Sequence, residues 1–174
     1  MTNQGLRLIS LCFSTLLLCS SCGILAQTSK LIAEADIKSN EETILKRKDI
    51  VEYAYGFLGT KYRAAGKKPG GFDCSGFVYH VMKEFDIKMA ASSGLQEKQG
   101  EKISAKEAQP GDLMFFRRSE KGRVFHVAIV AANDENGLSL IHSTSGRGVV
   151  LDRVRESSYW RSKVMTARKI VSTD

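Results

Sequence analysis

The sequence predicts an α+β domain in which N-terminal helices pack on an antiparallel sheet, and three observations carry this. Apolar residues recur at helical spacing in the first half of the chain, and as short runs between turn residues in the second half. Helices first and antiparallel strands afterwards is the α+β order. At 174 residues and 43% hydrophobic, the chain has material for one compact core, whereas two independent domains would be cramped.

The chain opens on a leader. Arg7 is its one cation, Leu8 to Leu18 is an apolar run, and Ser20 and Ser21 precede Cys22. That order reads as a secretion signal with a processing site. A membrane-spanning helix needs roughly 20 apolar residues, and this run falls short. The arrangement resembles the bacterial lipobox, in which the chain is cut just before a cysteine whose thiol is diacylated. Residues 1–21 are therefore expected to leave as a lipoprotein-type signal, with acyl chains (palmitate) carried at Cys22. Cys19 stands where that motif usually has leucine, and it is the poorer acceptor because bulky Leu18 would precede the cut. Such processing removes Cys12 and Cys19 and caps Cys22, which leaves Cys74 as the one free thiol. A single cysteine forms no internal disulfide, and an exported lone thiol points to reactivity. Most single cysteines are instead buried small hydrophobes, so the neighbours of Cys74 decide.

Residues 22–48 are mostly polar and charged, with no proline and no repeat, and read as a partly helical tether. The formal net charge is +7, and loss of Arg7 with the leader lowers it by one. A basic surface is drawn to polyanions such as wall polymers and lipid headgroups. Here the cations are scattered among acids, as in Lys30 to Asp49, which describes a solubilising surface with mild wall affinity. No basic and aromatic residues interleave, so no nucleic-acid partner is expected.

The domain proper is read over 49–170. Ile50, Ala54, Phe57 and Leu58 recur at helical spacing and Gly59 offers a stop. Thr60 to Phe72 holds three glycines and a proline, which suits a loop. Asp73 can cap the next helix by accepting from first-turn amides. Phe77, Val78, Val81, Met82 and Phe85 form the buried stripe of that helix, which presents Cys74 at its N-terminal end. His80 lies off the stripe and is expected to be exposed. After the polar stretch Ala90 to Gln109, Pro110 and Gly111 turn into a strand at Asp112 to Phe116. Arg117 to Arg123 reads as a solvated hairpin, followed by strands at Val124 to Ala132, Leu138 to Thr144 and Val149 to Val154.

A thiol attacks as thiolate, and a helix N-terminus helps by setting partial positive charge and free amides beside it. Cys74 has that position. It also needs a base. In the strand that carries His126, alternation puts Ala128 and Val130 on the same face, and small neighbours leave room beside the imidazole. His142 shares a face with Leu140 and Thr144 on the following strand. Adjacent antiparallel strands bring the two histidines within reach, which supplies nucleophile, base and orienting residue. A lone histidine is usually half-buried and bonded to backbone; three coinciding features favour the catalytic reading. Cysteine with two histidines can also bind zinc, but structural sites keep ligands a few residues apart. These are widely separated, so neither metal nor cofactor is expected.

With these residues in place, Gly71-Phe72-Asp73-Cys74-Ser75-Gly76-Phe77-Val78 resembles the nucleophile motif of the NlpC family of bacterial cell-wall cysteine endopeptidases. Leu58-Gly59-Thr60-Lys61-Tyr62-Arg63 is similar to the segment that precedes it there. Pro110-Gly111-Asp112-Leu113 resembles the family's turn into the first core strand, and His126-Val127-Ala128-Ile129-Val130 its histidine strand. The resemblance extends from about Asp49 to Ile170. It implies a papain-like domain that hydrolyses stem-peptide bonds of peptidoglycan, commonly between D-glutamate and diaminopimelate or lysine. By motif position Cys74 is the nucleophile, His126 the base and His142 the residue that orients it. Tyr62 falls near the oxyanion, where a phenol donor is useful. Asp73 and Ser75 match positions that help receive the substrate's amine end, and for Asp73 capping and that role coexist. Ala64-Ala65-Gly66 departs from the aromatic and glycine pair that often follows Tyr-Arg, which bears on substrate preference.

The expected product is thus a monomeric thiol protease anchored in the cell envelope by its lipid, in the outer membrane where the source has one. Two other readings use the same residues: an acyltransferase or amidase on this scaffold, and an inactive wall-binding lipoprotein.

Overall fold

A computed structural model describes residues 12–172, with side chains from Gln27 onward. The expected cut before Cys22 and its acylation lie outside the described side chains. The chain divides into two units, Met1–Glu42 and Thr43–Asp174. A single helix, α1 (Cys12–Tyr55), begins in the first and ends in the second. Its upstream part carries exposed ion pairs one turn apart, Lys30 with Glu34 and Lys38 with Glu42, each worth a few tenths of a kcal/mol (~0.3–0.5) at most. Among the described residues no helix is long and apolar enough to cross a membrane.

The second unit starts ahead of the boundary expected at residue 49, and Arg47 explains why. Its side chain is buried. Nη1 donates to Asp112 Oδ1 at 2.8 Å and to the Pro110 carbonyl at 2.9 Å, and Nη2 donates to the Val171 carbonyl at 2.6 Å. One guanidinium therefore joins the last turns of α1 to the turn before the first central strand and to the C-terminal end of the packed unit.

Beyond α1, the elements are β1 (Lys67–Lys68), β2 (Gly71–Phe72), α2 (Cys74–Glu84), α3 (Ser93–Gln96), β3 (Glu101–Ile103) and β4 (Leu113–Arg117). They continue as β5 (His126–Asp134), β6 (Gly137–Thr144), β7 (Gly148–Arg153), a 3-10 turn at Val154–Glu156, α4 (Ser158–Arg161) and β8 (Val164–Lys169). Six strands form one antiparallel sheet in the order β3-β8-β4-β5-β6-β7. The expected helix-then-sheet α+β order is observed. β3 and β8 are additions, and β8 is paired on both sides although it carries Arg168 and Lys169.

Alternation divides the sheet's side chains into two cores. Leu113, Phe115, Val127, Ile129 and Ile141 meet Ile50 and Ala54 of α1 and Phe77, Val78 and Val81 of α2. Met114, Phe116, Ala128, Val130 and Leu140 face the other way, toward Trp160 and Ala167. His80 corrects the expectation of an exposed residue. It is half-buried between the rings of Phe57 and Phe72, at centroid distances of 5.1 and 5.2 Å, and stacks on Tyr53. Burial lowers its pKa, because α1 and β2 cover the helix flank that α2 alone leaves open.

Candidate active site

Cys74 opens α2. Asp73, in extended conformation, caps the helix by accepting from the Gly76 amide at Oδ1, 2.6 Å away. With that amide satisfied, those of Cys74 and Ser75 are left to the sulfur, on which they act together with the Val127 amide. Gly76 makes the approach possible. A Cβ there would lie 1.9 Å from the Gly66 carbonyl oxygen, so the loop before β1 can close on α2 only over a glycine.

The Val127 amide is available because the sheet opens at this end. β5 and β6 pair at Ile129 with Ile141 and at Val130 with Leu140, but no pair joins 126–128 to 142–144. Ser143 turns instead to β2, donating from Oγ to the Phe72 carbonyl at 2.7 Å. The tip of α2 occupies the resulting notch.

His126 and His142 project from one face of the sheet. His126 Nε2 lies 2.9 Å from His142 Nδ1. Behind them stands a group that the sequence reading missed: His142 Nε2 is 3.0 Å from Asp152 Oδ2, which also accepts from Trp160 Nε1 at 3.0 Å. Arg147 grips the same carboxylate with both guanidinium nitrogens. The Trp160 ring stacks on His126 at 4.8 Å and 28°. A signal for Asp152 existed, since Val150, Asp152 and Val154 alternate toward the face that carries His142. Trp160 had none, because it arrives from the four-residue α4.

Burial dominates the electrostatics. It pushes His126 down to about 3, assisted by His142 and opposed by Asp152. It also pushes the Cys74 thiol up, against the lowering influence of the Val127, Ser75 and Cys74 amides. Burial thus favours the uncharged form of both the thiol and the imidazole. Tyr62 is raised by burial and then by negative charge on Cys74 and Asp73, so its phenol stays a donor. Asp152 is held well below the usual carboxylate range, first by the bond from His142.

Tyr62, Cys74, His126, Arg147 and Trp160 line one cleft of about 460 Å³, and His142 stands behind His126, fully buried. Neither Asp73 nor Ser75 lines it: Ser75 is buried and its hydroxyl donates to Asp73 Oδ1 at 3.0 Å. A larger groove beside Ile44, Val51, Tyr55 and Pro110 is mostly apolar and holds no nucleophile with a base, so the chemistry is assigned to the smaller cleft. Among the described residues no three His, Cys, Asp or Glu side chains are grouped to hold a metal ion.

Residues 59–169 match the model of the NlpC/P60 family. The chain is 31% identical over 150 residues to the murein DD-endopeptidase MepS/murein LD-carboxypeptidase of Escherichia coli K12, covering 84% of this chain and 76% of that protein. It is 32% identical over 148 residues to the gamma-DL-glutamyl hydrolase of Bacillus subtilis, covering 83% of this chain and 33% of that protein. Among solved structures, an NlpC/P60 family protein from Bacillus cereus superposes with a TM-score of 0.65 at 31% identity, over 72% of this chain and 40% of that one.

Proposed function

The chain belongs to the NlpC/P60 family, and from that premise we propose that it is a cysteine-type endopeptidase that hydrolyses the stem peptides of peptidoglycan. The observation that carries the reading is the contact of His126 Nε2 with His142 Nδ1 in a cleft that also holds Cys74. His126 removes the thiol proton as Cys74 attacks the peptide carbonyl. Stabilising the oxyanion falls to the amides at the tip of α2 and to the Tyr62 phenol, which lines the same cleft as Cys74. The His126 imidazolium then protonates the leaving amine, and water, deprotonated by the same imidazole, releases the acyl group from the thioester.

We assign the scissile bond to the γ-D-glutamyl linkage to diaminopimelate or lysine, and the substrate's free amine end to Asp73, whose carboxylate the buried Ser75 hydroxyl steadies. The bonds that Asp73 makes to Gly76 and Ser75 both fall on Oδ1, which supports a second role for Oδ2. Mass spectrometry of muropeptides after digestion tests the assignment. Release of dipeptide from the stems, abolished by Cys74→Ser, is expected; cleavage of cross-links alone would move the bond, and amide transfer to an added amine in preference to hydrolysis would replace the peptidase reading. Asp73→Asn keeps the cap, so it is expected to raise KM for stems with a free amine and leave Tm unchanged. An unaltered KM would remove Asp73 from substrate binding.

The envelope location rests on the order of the leader: apolar run, Ser20, Ser21, Cys22. Processing at Cys22 and acylation there anchor the enzyme to a membrane. Labelling with a fatty acid analogue is expected to mark the chain and to fail in Cys22→Ala. Label that persists in the variant would refute the site.

A further inference from the structure

We infer that Asp152 is a positioning residue that fixes the tautomers of both active-site imidazoles and thereby makes His126 Nδ1 the base. The inference rests on the peptidase reading for its catalytic consequence, but its geometry stands independently. A carboxylate only accepts, so at 3.0 Å from Asp152 Oδ2 the His142 Nε2 carries the hydrogen. Neutral His142 then has a lone pair on Nδ1. His126 Nε2, 2.9 Å from that lone pair, must be the donor. The remaining ring nitrogen of His126, Nδ1, is left without hydrogen and is free to take the thiol proton. On attack the proton passes from Cys74 Sγ to His126 Nδ1, leaving a thiolate and an imidazolium whose Nε2–H still rests on His142.

Without an acceptor at position 152 the chain can run backwards. His142 can place its hydrogen on Nδ1 and donate to His126 Nε2, which forces the His126 hydrogen onto Nδ1 and leaves that ring no lone pair with which to deprotonate the thiol. The carboxylate is built to prevent this. Trp160 Nε1 donates to the same oxygen as His142, and Arg147 grips both oxygens, so Asp152 cannot rotate away. Trp160 in turn stacks on His126, so one carboxylate orients the base through a hydrogen-bond relay and through its ring neighbour.

The test is long-range 15N–1H correlation spectroscopy on the labelled full-length chain, beside steady-state kinetics on stem peptides. The native protein is expected to show His126 and His142 both as Nε2–H tautomers. In Asp152→Ala both histidines are expected to shift toward Nδ1–H, with kcat reduced about 10- to 100-fold, the range for partners that orient a functional imidazole, and KM within about threefold. Asp152→Asn can keep an oxygen toward His142 and Trp160, so it is expected to retain the native tautomers and most of kcat. Unchanged tautomers in Asp152→Ala overturn the inference even where kcat falls. Should that variant fail to fold, the native spectrum decides alone: His142 as Nδ1–H, or as an imidazolium that donates from both nitrogens, overturns it. Absence of peptidase activity in the native protein would count against the proposed function and leave the tautomer measurement standing.

Discussion

The face of the sheet that carries Val127, Ile129 and Ile141 meets α1 and α2 in an aliphatic and aromatic core. The opposite face, made by alternate residues of the same strands, carries His126 and His142 next to Trp160, with Asp152 bonded behind them. The first face holds through buried area, which tolerates volume-conserving change. The second holds through a directional relay, in which one lost acceptor reassigns hydrogens two residues away. Cys74 belongs to the first face by packing and to the second by chemistry, and it reaches across only where β5 and β6 part.

Substitutions should separate the two faces. On the relay face, His126→Ala is expected to lower kcat/KM by about 1,000-fold or more while the circular dichroism spectrum is preserved. Muropeptide release checks it, and a loss under tenfold would take His126 out of catalysis. On the packed face, Phe77→Ala should destabilise by about 3–5 kcal/mol, read from urea unfolding. A cost below about 1 kcal/mol would show that α2 is not held by this core.

The buried imidazole also sets a pH dependence. His126 falls to about 3 in the folded chain against about 6.5 when unfolded. The unfolded chain therefore binds the extra proton between those values, and stability drops as pH falls through that window, by up to ~1.4 kcal/mol per pH unit from this group. His126→Gln is expected to flatten the Tm profile between pH 6 and about 4. An unchanged slope would assign the acid sensitivity to other groups. The smallest effect should come from Ala65, whose φ of 57° lies in the left-handed region. Ala65→Gly relieves that conformation and is expected to stabilise by about 1 kcal/mol without altering kcat.

This division also explains what the sequence made legible. The stripe Phe77, Val78, Val81 and Met82 announces α2, and period-two alternation puts His126 and His142 on one face, because both signals are local. Asp152 is not legible locally, since a carboxylate on the edge strand β7 ordinarily points to water, and only the fold brings His142, Trp160 and Arg147 around it. β8 is hard to read because a strand bearing Arg168 and Lys169 lacks the apolar run that marks burial, although it lies between β3 and β4. The burial of His80 is not legible locally either, because Tyr53 of α1 and Phe57 in the turn after it supply the cover. Local pattern fixes which face a side chain takes, while long-range partners fix whether that face is dry, wet or bonded.

Arg47 bears on how the catalytic unit can be trimmed. A fragment cut to residues 59–169, or begun at 49, loses the guanidinium and keeps Asp112 buried with no cation beside it, a severe penalty in a dry interior. A start at 49 also leaves the Val171 carbonyl without the donor that Arg47 supplies, and a cut at 169 removes that carbonyl altogether. Expression boundaries drawn from family likeness would thus yield a weakened protein, and a start at Thr43 would keep the clasp closed.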